Sequence, residues 1–292
     1  MTTIDLLAGS LRLRLAPSAG GSITRFDVMH GGIEQPLLRG AEGLPDHALE
    51  SACFPLVPFS NRIRGGSFTF RDRRISLRPN MTGDPSPLHG QGWLVPWQVE
   101  EASSTDAILV YRHEAGEWPW HYEARQEFAL GEQGLHATLC CRNVSDRPMP
   151  CGLGFHPYFP CSTGTLLQTA VSHVWTIDEN VLPVERVAAT GRYALDGGTV
   201  CGRGLDNGYD GWSGLALISQ PDAPFDLCMS SPDASYFQLY SPEEGGLFVA
   251  EPVSHANDAL GAPEQDWPAL GLRVLEAGEE MCLQMRIDLR AR

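Results

Sequence analysis

Apolar and polar residues alternate with a period of two along most of the chain, which is the pattern of β-strands that bury one face. The segment LRLRLAP at 11–17 is the clearest example, and AILVYRHE at 107–114 is another. Segment 66–79 predicts two strands joined by a tight turn at Arg71–Asp72–Arg73. Strands are therefore the dominant predicted element.

Two further regions predict strand pairs of the same kind. Segment 121–145 alternates on both sides of Gly131–Gly134, and the final strands lie on either side of Glu276–Glu279. Helical periodicity is scarce, and the 31 glycines and 22 prolines punctuate short segments along the whole chain. These observations predict an all-β fold, a large antiparallel β-sandwich of two packed sheets, formed by a single domain over residues 1–292.

The charge of the chain restricts its partners. Lys plus Arg number 21 and Asp plus Glu number 36, which gives a formal net charge of −15. An acidic protein repels phosphate backbones and anionic lipid surfaces, so we expect neither nucleic acid nor membrane as a partner.

The N-terminal segment and the cysteines bear on localisation. No basic segment followed by an apolar stretch begins the chain, and no apolar run reaches about 18 residues, so we expect a soluble, cytoplasmic protein. The eight cysteines include no C-x-x-C pair, and we expect free thiols, with structural disulfides or a zinc site as the alternative. Adjacent residues on a strand point to opposite faces, as Cys140 and Cys141 should.

Two histidines lie in glycine- and aromatic-rich segments. GFHPYF contains His156, and an imidazole with a pKa of about 6.5 exchanges protons near neutrality. PSPLHGQGW contains His89 and Trp93, whose indole face is suited to stacking on a sugar ring. The alternatives are a buried structural histidine at 156, and at 85–97 a turn whose tryptophans anchor it in the core.

Three more segments carry candidate polar groups. FSNRIRGG offers Asn61 and Arg62, with Arg64 on the same face if the segment is a strand. Glu251 ends an apolar strand in FVAEP, where burial would raise its pKa toward that of a general base. Asp206 in GLDNGYDGW can accept hydrogen bonds from hydroxyl groups, although Asp206–Asn207–Gly208 is also typical of a turn.

The known nucleotide and nucleophile motifs do not occur in this chain. There is no phosphate-binding G-x-x-x-x-G-K-[ST] loop and no G-x-S-x-G elbow, and the histidines are not at metal-ligand spacing. The remaining candidates favour acid–base chemistry on a neutral, hydroxyl-rich ligand, with no cofactor and no metal.

Taken together, FSNRIRGGSF, LHGQGW, GFHPYF, GLDNGYDGW and FVAEP, in this order, resemble the aldose 1-epimerase (mutarotase) family over nearly the whole chain. The resemblance implies an isomerase on a galactose mutarotase-like supersandwich that interconverts the α and β anomers of a monosaccharide. It implies that Glu251 is the general base and His156 the general acid, and that His89, Arg62 and Asp206 bind the sugar. Asn61 and Trp93 complete the expected binding set, and the protein is expected to be a monomer or homodimer.

The sequence also departs from the family's pattern. Val253 stands where galactose mutarotases often have a glutamine, so the resemblance leaves the sugar open. The arginine-glycine-glycine-isoleucine-proline segment of the hexose-6-phosphate branch is absent. Two alternatives remain: a non-catalytic sugar-binding or sensor protein on the same fold, and an epimerase of a sugar acid or deoxysugar that uses Arg62 and Arg64.

Overall fold

The computed structural model describes residues 3–41 and 43–292. Met1, Thr2 and Glu42, which the single-domain prediction also spans, lie outside the described residues. In chain order the strands are β1 (Ile4–Ala8), β2 (Leu11–Ala16), β3 (Ser22–His30), β4 (Ile33–Pro36), β5 (Pro55–Leu56), β6 (Ser67–Phe70), β7 (Arg73–Ser76), β8 (Gln98–Ala102), β9 (Asp106–His113), β10 (Tyr122–Leu130), β11 (Gly134–Asn143), β12 (Met149–Cys151), β13 (Gly154–Phe155), β14 (Tyr158–Pro160), β15 (Leu166–Thr169), β16 (His173–Ile177), β17 (Pro183–Ala188), β18 (Asp196–Thr199), β19 (Leu205–Asp210), β20 (Leu215–Ser219), β21 (Phe225–Ser230), β22 (Tyr236–Ser241), β23 (Leu247–Val253), β24 (Arg273–Leu275) and β25 (Glu280–Ala291).

The helices of the described residues are short 3-10 turns between strands. They are η1 (Ala48–Glu50), η2 (Arg64–Gly66), η3 (Gly92–Leu94), η4 (Gly191–Tyr193), η5 (Ala259–Gly261) and η6 (Glu264–Leu270). Within the described ranges, none of these helices has the length and apolar character that a membrane crossing requires.

Two large sheets form the body of the protein. One has nine strands in the order β18-β15-β20-β21-β25-β11-β10-β9-β8. The other has eight, in the order β17-β16-β19-β22-β23-β13-β5, with β14 also paired to β23. Smaller sheets are formed by β1–β4, β6–β7 and β12–β24. The predicted all-β antiparallel sandwich is confirmed.

Two of the three predicted strand pairs agree with the structure. The third is wrong, because the strands on either side of Glu276–Glu279 do not pair with each other: β24 pairs with β12, and β25 pairs with β11 and β21. The turn at Arg71–Asp72 joins β6 to β7, and both residues have positive φ, 47° and 61°. Such a two-residue turn matches the twist of the paired strands. β10 and β11 pair along 121–145, and β9 covers the predicted strand at 107–114.

One apolar core lies between the two large sheets. Leu109 and Leu139 of the nine-stranded sheet belong to the same buried cluster as Phe237, Leu239 and Phe248 of the eight-stranded sheet. Because side chains alternate along a strand, the residues between these positions face away from this core. We call that second surface the outer face of the eight-stranded sheet.

A second, smaller apolar cluster covers part of the outer face. It joins Val249 and Val253 of β23 to side chains from the loops around η1 and η3, including Phe54 and Trp93. These loops therefore form a wall over the sheet, and the candidate site lies between the wall and the strands.

The expectation that all eight cysteines are free thiols is wrong. Disulfides join Cys140 to Cys282 and Cys161 to Cys201. Cys140 lies directly opposite Cys282 in the register of β11 and β25, and strand register across 142 residues cannot be read from the sequence. Cys141 is buried and free, on the opposite face from Cys140 as predicted. Among the described residues, the one metal-type cluster is Cys140, Glu280 and Cys282, whose two sulfurs are bonded to each other.

Candidate active site

A row of polar side chains crosses the outer face of the eight-stranded sheet. Gln238 on β22 lies opposite Glu251 on β23, and Gly208 on β19 lies opposite Gln238 on its other side. Gln238 Nε2 donates to Asp206 Oδ1 at 2.7 Å. Three neighbouring strands thus place Glu251, Gln238 and Asp206 side by side.

The turn interpretation of Asp206–Asn207–Gly208 is wrong, because these residues lie inside β19 and pair with β22 over its whole length. Backbone pairing between strands outweighs the local turn preference of the sequence. Gly208 also keeps the row open, since a Cβ there would lie 3.1 Å from Gln238 Oε1.

His156 approaches this row from the segment between β13 and β14. Its Nε2 lies 3.4 Å from Glu251 Oε1, and the two side chains are 10% and 4% exposed. The imidazole stacks on Phe54 with the ring centroids 4.4 Å apart, which fixes its plane. Two groups separated by 95 positions in the sequence therefore meet within the breadth of a sugar ring.

Each member of this pair has one polar atom without a partner. Among the described residues, Oε2 of Glu251 and Nδ1 of His156 are buried and make no hydrogen bond. Buried polar atoms in folded proteins are almost always paired, so an unpaired atom needs an explanation, such as a role in catalysis or an absent ligand. These atoms are what a ligand with hydroxyl groups would satisfy.

Burial decides the protonation of the pair. It raises the pKa of Glu251 well above its ordinary value, an effect that the charge of Asp206 adds to and that of Arg62 opposes. Burial also lowers the pKa of His156 to about 3, with the nearby Arg39 acting in the same direction. A nearby carboxylate by itself would favour a charged imidazole, but desolvation is the larger effect here, and it favours the neutral form of both side chains.

His89 is held in one tautomer by the backbone. Its Nδ1 accepts from the Asn61 N–H at 2.9 Å, so the remaining nitrogen, Nε2, carries the proton. The ring lies edge-on to His156 at 5.3 Å, and burial lowers the pKa of His89 well below its usual value. His89 is therefore a neutral hydrogen-bond donor next to the Glu251–His156 pair.

Asn61 acts through its neighbours. Besides donating to His89, it accepts the Arg62 N–H and Arg62 Nη1 on its own Oδ1, at 3.0 and 3.2 Å. Its φ of 58° lets the short side chain fold back onto the following residue. Asn61 thus links the two predicted sugar-binding side chains, His89 and Arg62, by hydrogen bonds to both.

Arg62 is nearly buried beside the polar row. Its Nε donates to Asp84 Oδ2 at 2.8 Å, and the two side chains are 12% and 7% exposed. Burial raises the pKa of both Asp206 and Glu251, and the positive charge of Arg62 opposes both rises, so it acts on both carboxyl groups of the row.

The expectation that Trp93 stacks on a ligand is wrong for this structure. Trp93 is 1% exposed, its Nε1 donates to Leu88 O at 3.1 Å, and its ring stacks on Phe54. The alternative, a tryptophan that anchors a turn in the core, is correct. Trp93 therefore supports Phe54, which in turn supports His156.

Arg64 does not share the face of Arg62. It lies in η2, where Gly65 has a φ of 64°, so the backbone is not extended as assumed. Its guanidinium contacts Asp258 and Asp178 at 3.2 and 3.4 Å and donates to Pro183 O. His255 lies in the loop after β23, where it is buried, and its Nε2 accepts from the Ser60 N–H at 3.0 Å.

Two residues of the site were missed from the sequence. Gln238 interrupts an apolar strand with a polar residue, and that break in the pattern was a usable signal. Asp84 lies in the proline-containing loop before His89, and nothing in the local sequence distinguishes it from an exposed turn aspartate.

Comparisons with known proteins show the family and the fold of this chain. The model of the aldose 1-epimerase family matches residues 12–288. The chain is 35% identical over 277 residues to the uncharacterized Escherichia coli protein YphB, covering 90% of this chain and 92% of that one. A crystal structure from E. coli K12, described as a candidate aldose 1-epimerase, superposes with a TM-score of 0.91 at 32% identity and covers 100% of this chain and 99% of its own.

A galactose mutarotase-like protein from Clostridium acetobutylicum shares the fold, with a TM-score of 0.85 at 16% identity, over 99% of this chain and 95% of its own. The family match spans nearly the whole chain, as the ordered motifs predicted. The chain belongs to the aldose 1-epimerase family.

Proposed function

We propose that this protein is an aldose 1-epimerase, which interconverts the α and β anomers of a free monosaccharide by general acid–base catalysis. The observation that carries the proposal is the contact between Glu251 and His156, 3.4 Å apart, each with an unpaired buried atom. In a pyranose the C1 hydroxyl and the ring oxygen are bonded to the same carbon, so a close acid–base pair matches the two atoms that exchange protons.

The reaction needs a base at the C1 hydroxyl and an acid at the ring oxygen. Glu251 takes the proton from the hydroxyl while His156 protonates the ring oxygen, and the C1–ring oxygen bond breaks to give the free aldehyde. Rotation about the C1–C2 bond presents the other carbonyl face, and closure runs with the two proton roles reversed. Protons only move between the sugar and the two side chains, so no cofactor is required.

The protonation of Glu251 and His156 sets one condition on this mechanism. Burial raises the pKa of Glu251 and lowers that of His156, so it favours the proton on Glu251, whereas ring opening starts from an ionised Glu251 and a protonated His156. Transfer across the 3.4 Å contact converts one form into the other without exchange with solvent. The positive charge of Arg62 favours the ionised carboxylate and so assists this step.

The remaining polar groups suit the hydroxyls of the sugar. His89 presents its Nε2 proton, Arg62 its guanidinium and Asp206 a carboxyl oxygen, all around the Glu251–His156 pair. General acid and general base catalysis each accelerate a reaction by roughly 10²–10⁴-fold. Since mutarotation already proceeds slowly in water, two such groups in a preorganised site are sufficient.

The test is the rate of anomer exchange of freshly dissolved aldoses, followed by polarimetry or NMR exchange spectroscopy with and without the protein. We expect acceleration of at least one neutral aldose in proportion to enzyme concentration. Glu251→Gln, purified in the same way, controls for host mutarotase in the preparation. Saturable binding of sugar with no faster exchange would instead select the non-catalytic sugar-binding protein.

One of the two arginines that the sugar-acid alternative requires is not available to bind a ligand carboxylate. Arg64 is engaged by Asp178 and Asp258 outside the polar row, which leaves Arg62 as the arginine next to Asp206 and Glu251. The geometry therefore supports a neutral sugar better than an acidic one.

A further inference from the structure

The guanidinium of Arg62 is already bound on two of its sides. Asp84 accepts from Nε at 2.8 Å, and Asn61 accepts from Nη1 at 3.2 Å. In the described part of the chain, Nη2 makes no hydrogen bond. Arg62 is close enough to the polar row for its charge to act on Asp206 and Glu251. By occupying Nε, Asp84 therefore determines which edge of the guanidinium is left for a ligand.

Asp84 is itself held in place by its own loop. Its Oδ1 accepts the Ser86 N–H at 2.8 Å, which leaves Oδ2 for Arg62. Asn80 closes the same loop by exchanging hydrogen bonds with both backbone groups of Leu88, at 2.7 Å each. The loop that presents His89 thus also carries a fixed carboxylate against Arg62.

Asp84 also changes the charge that a ligand meets. The carboxylate offsets the guanidinium within a nearly buried pair, and its charge adds to the rise in the pKa of Asp206 that burial causes. Asp206 and Glu251 are also close enough to Arg62 for its charge to act on them, so Arg62, paired with Asp84, has no surplus positive charge to offer a ligand. A ligand carboxylate would have to displace Asp84 from Arg62 or lie unpaired among carboxyl groups, and both arrangements are unfavourable.

We propose that Asp84 is a positioning residue for Arg62, and that by occupying its Nε edge it reserves Arg62 for hydroxyl groups and excludes sugar acids. This inference rests on the proposed function, because it assigns selectivity to the same sugar site. It adds a residue that lies outside the ordered motifs of the family resemblance, in a loop whose local sequence does not distinguish Asp84 from an exposed turn aspartate.

The experiment uses sugar pairs that differ only at C6: D-galactose with D-galacturonate, and D-glucose with D-glucuronate. Anomer exchange is measured for the wild type, Asp84→Asn and Asp84→Glu at neutral pH, where the uronates are ionised. For the wild type we expect kcat/KM to favour the neutral sugar by more than about tenfold, the effect of one charge-assisted contact.

In Asp84→Asn we expect this ratio to narrow by about tenfold, through a higher KM for the neutral sugar and a lower KM for the uronate, with kcat changing less. Asp84→Glu keeps the negative charge and should keep the preference for the neutral sugar. A general loss of packing would lower kcat/KM for both sugars of a pair by the same factor and leave their ratio unchanged. The matched control is Asp258→Asn, which removes the buried carboxylate paired with Arg64 outside the site and should leave the ratio unchanged.

A wild-type ratio near one in a sugar pair that the enzyme accelerates would overturn the proposal, as would an unchanged ratio in a folded Asp84→Asn variant. If Asp84→Asn does not fold, the proposal is judged on two measurements: the kcat/KM ratio of the wild type, and whether Asp84→Glu keeps the preference for the neutral sugar. If the wild type accelerates a neutral aldose other than these two, that aldose and its uronate form the sugar pair. A wild type that accelerates no neutral aldose at all contradicts the proposed function itself, and the role of Asp84 falls with it.

Discussion

The two faces of the eight-stranded sheet are built from the same strands but do different things. On β22 and β23, Phe237, Leu239 and Phe248 face the core between the sheets and are completely buried. The intervening residues Gln238 and Glu251 are nearly as buried, at 3% each, yet they are polar. The inner face stabilises the fold, whereas the outer face buries polar groups at a cost in stability and holds the candidate catalytic residues. The degree of burial therefore does not by itself distinguish core residues from site residues.

The largest expected difference between the faces is in activity. Glu251→Gln keeps the shape of the side chain but removes the base, and we expect kcat for anomer exchange to fall by about 10²–10⁴-fold. The free energy of unfolding should stay the same or rise, because the variant no longer buries an ionisable group. NMR exchange spectroscopy and urea denaturation measure the two effects. Full activity in this variant would contradict the role of Glu251.

The inner face should show the opposite behaviour. Phe248→Ala removes a ring that stacks on Phe159 at 5.3 Å in the core, and we expect it to lower the free energy of unfolding by about 3–5 kcal/mol. The molecules that remain folded should keep most of their activity, since Phe248 faces away from Glu251. Urea denaturation measures the loss, and an exchange assay below the unfolding transition measures the activity. If Phe248→Ala lost activity without losing stability, the division of the sheet into a stabilising inner face and a catalytic outer face would be wrong.

The buried histidines of the outer side should make stability depend on pH. The pKa of His156 is lowered to about 3 and that of His255 to about 4, so between these values and about 6.5 the unfolded chain binds more protons than the native one. The stability that these two histidines contribute is therefore fully present above about pH 6.5 and is lost as the pH falls.

Glu251, with its raised pKa, acts in the opposite sense above about 4.5, where the native state holds the extra proton. In His156→Asn the slope of unfolding free energy against pH between 4 and 6.5 should become shallower by at most about 1.4 kcal/mol per pH unit. Urea titrations at several pH values measure it. An unchanged slope would mean that His156 is not neutral in the folded protein.

The smallest effect is expected just outside the polar row. Arg64→Ala removes ion pairs to Asp178 and Asp258, with the arginine side chain 48% exposed. Partly exposed ion pairs contribute about 1 kcal/mol or less, and we expect the activity to change by less than about twofold. Steady-state exchange rates and a thermal melt check both values. A large loss of activity here would extend the site beyond its assigned boundary.

The sequence predicted the parts of this molecule that depend on local alternation. The period of two predicted the strands, and the hairpin at Arg71–Asp72 followed from local turn chemistry. The ordered motifs predicted which polar residues would be brought together, including Glu251 and His156. Gln238 could also have been found, since it interrupts an apolar strand.

The remainder depends on contacts between distant segments. Asp206–Asn207–Gly208 has turn chemistry, but pairing with β22 makes it a strand. The disulfide between Cys140 and Cys282 follows from strand register, and the burial of Trp93 follows from its packing on Phe54. The role of Asp84 depends on where its loop meets Arg62. None of these contacts leaves a periodic signal in the local sequence.

Whether Glu251 and His156 act as one unit is tested by a double-mutant cycle. Anomer exchange is measured for the wild type, Glu251→Gln, His156→Asn and the double variant, with the sugar that the wild type accelerates most. Groups that exchange protons in a single step are strongly non-additive, so we expect the double variant to be about as slow as the slower single variant. Independent losses that multiply, or wild-type rates in either single variant, would contradict a shared acid–base site.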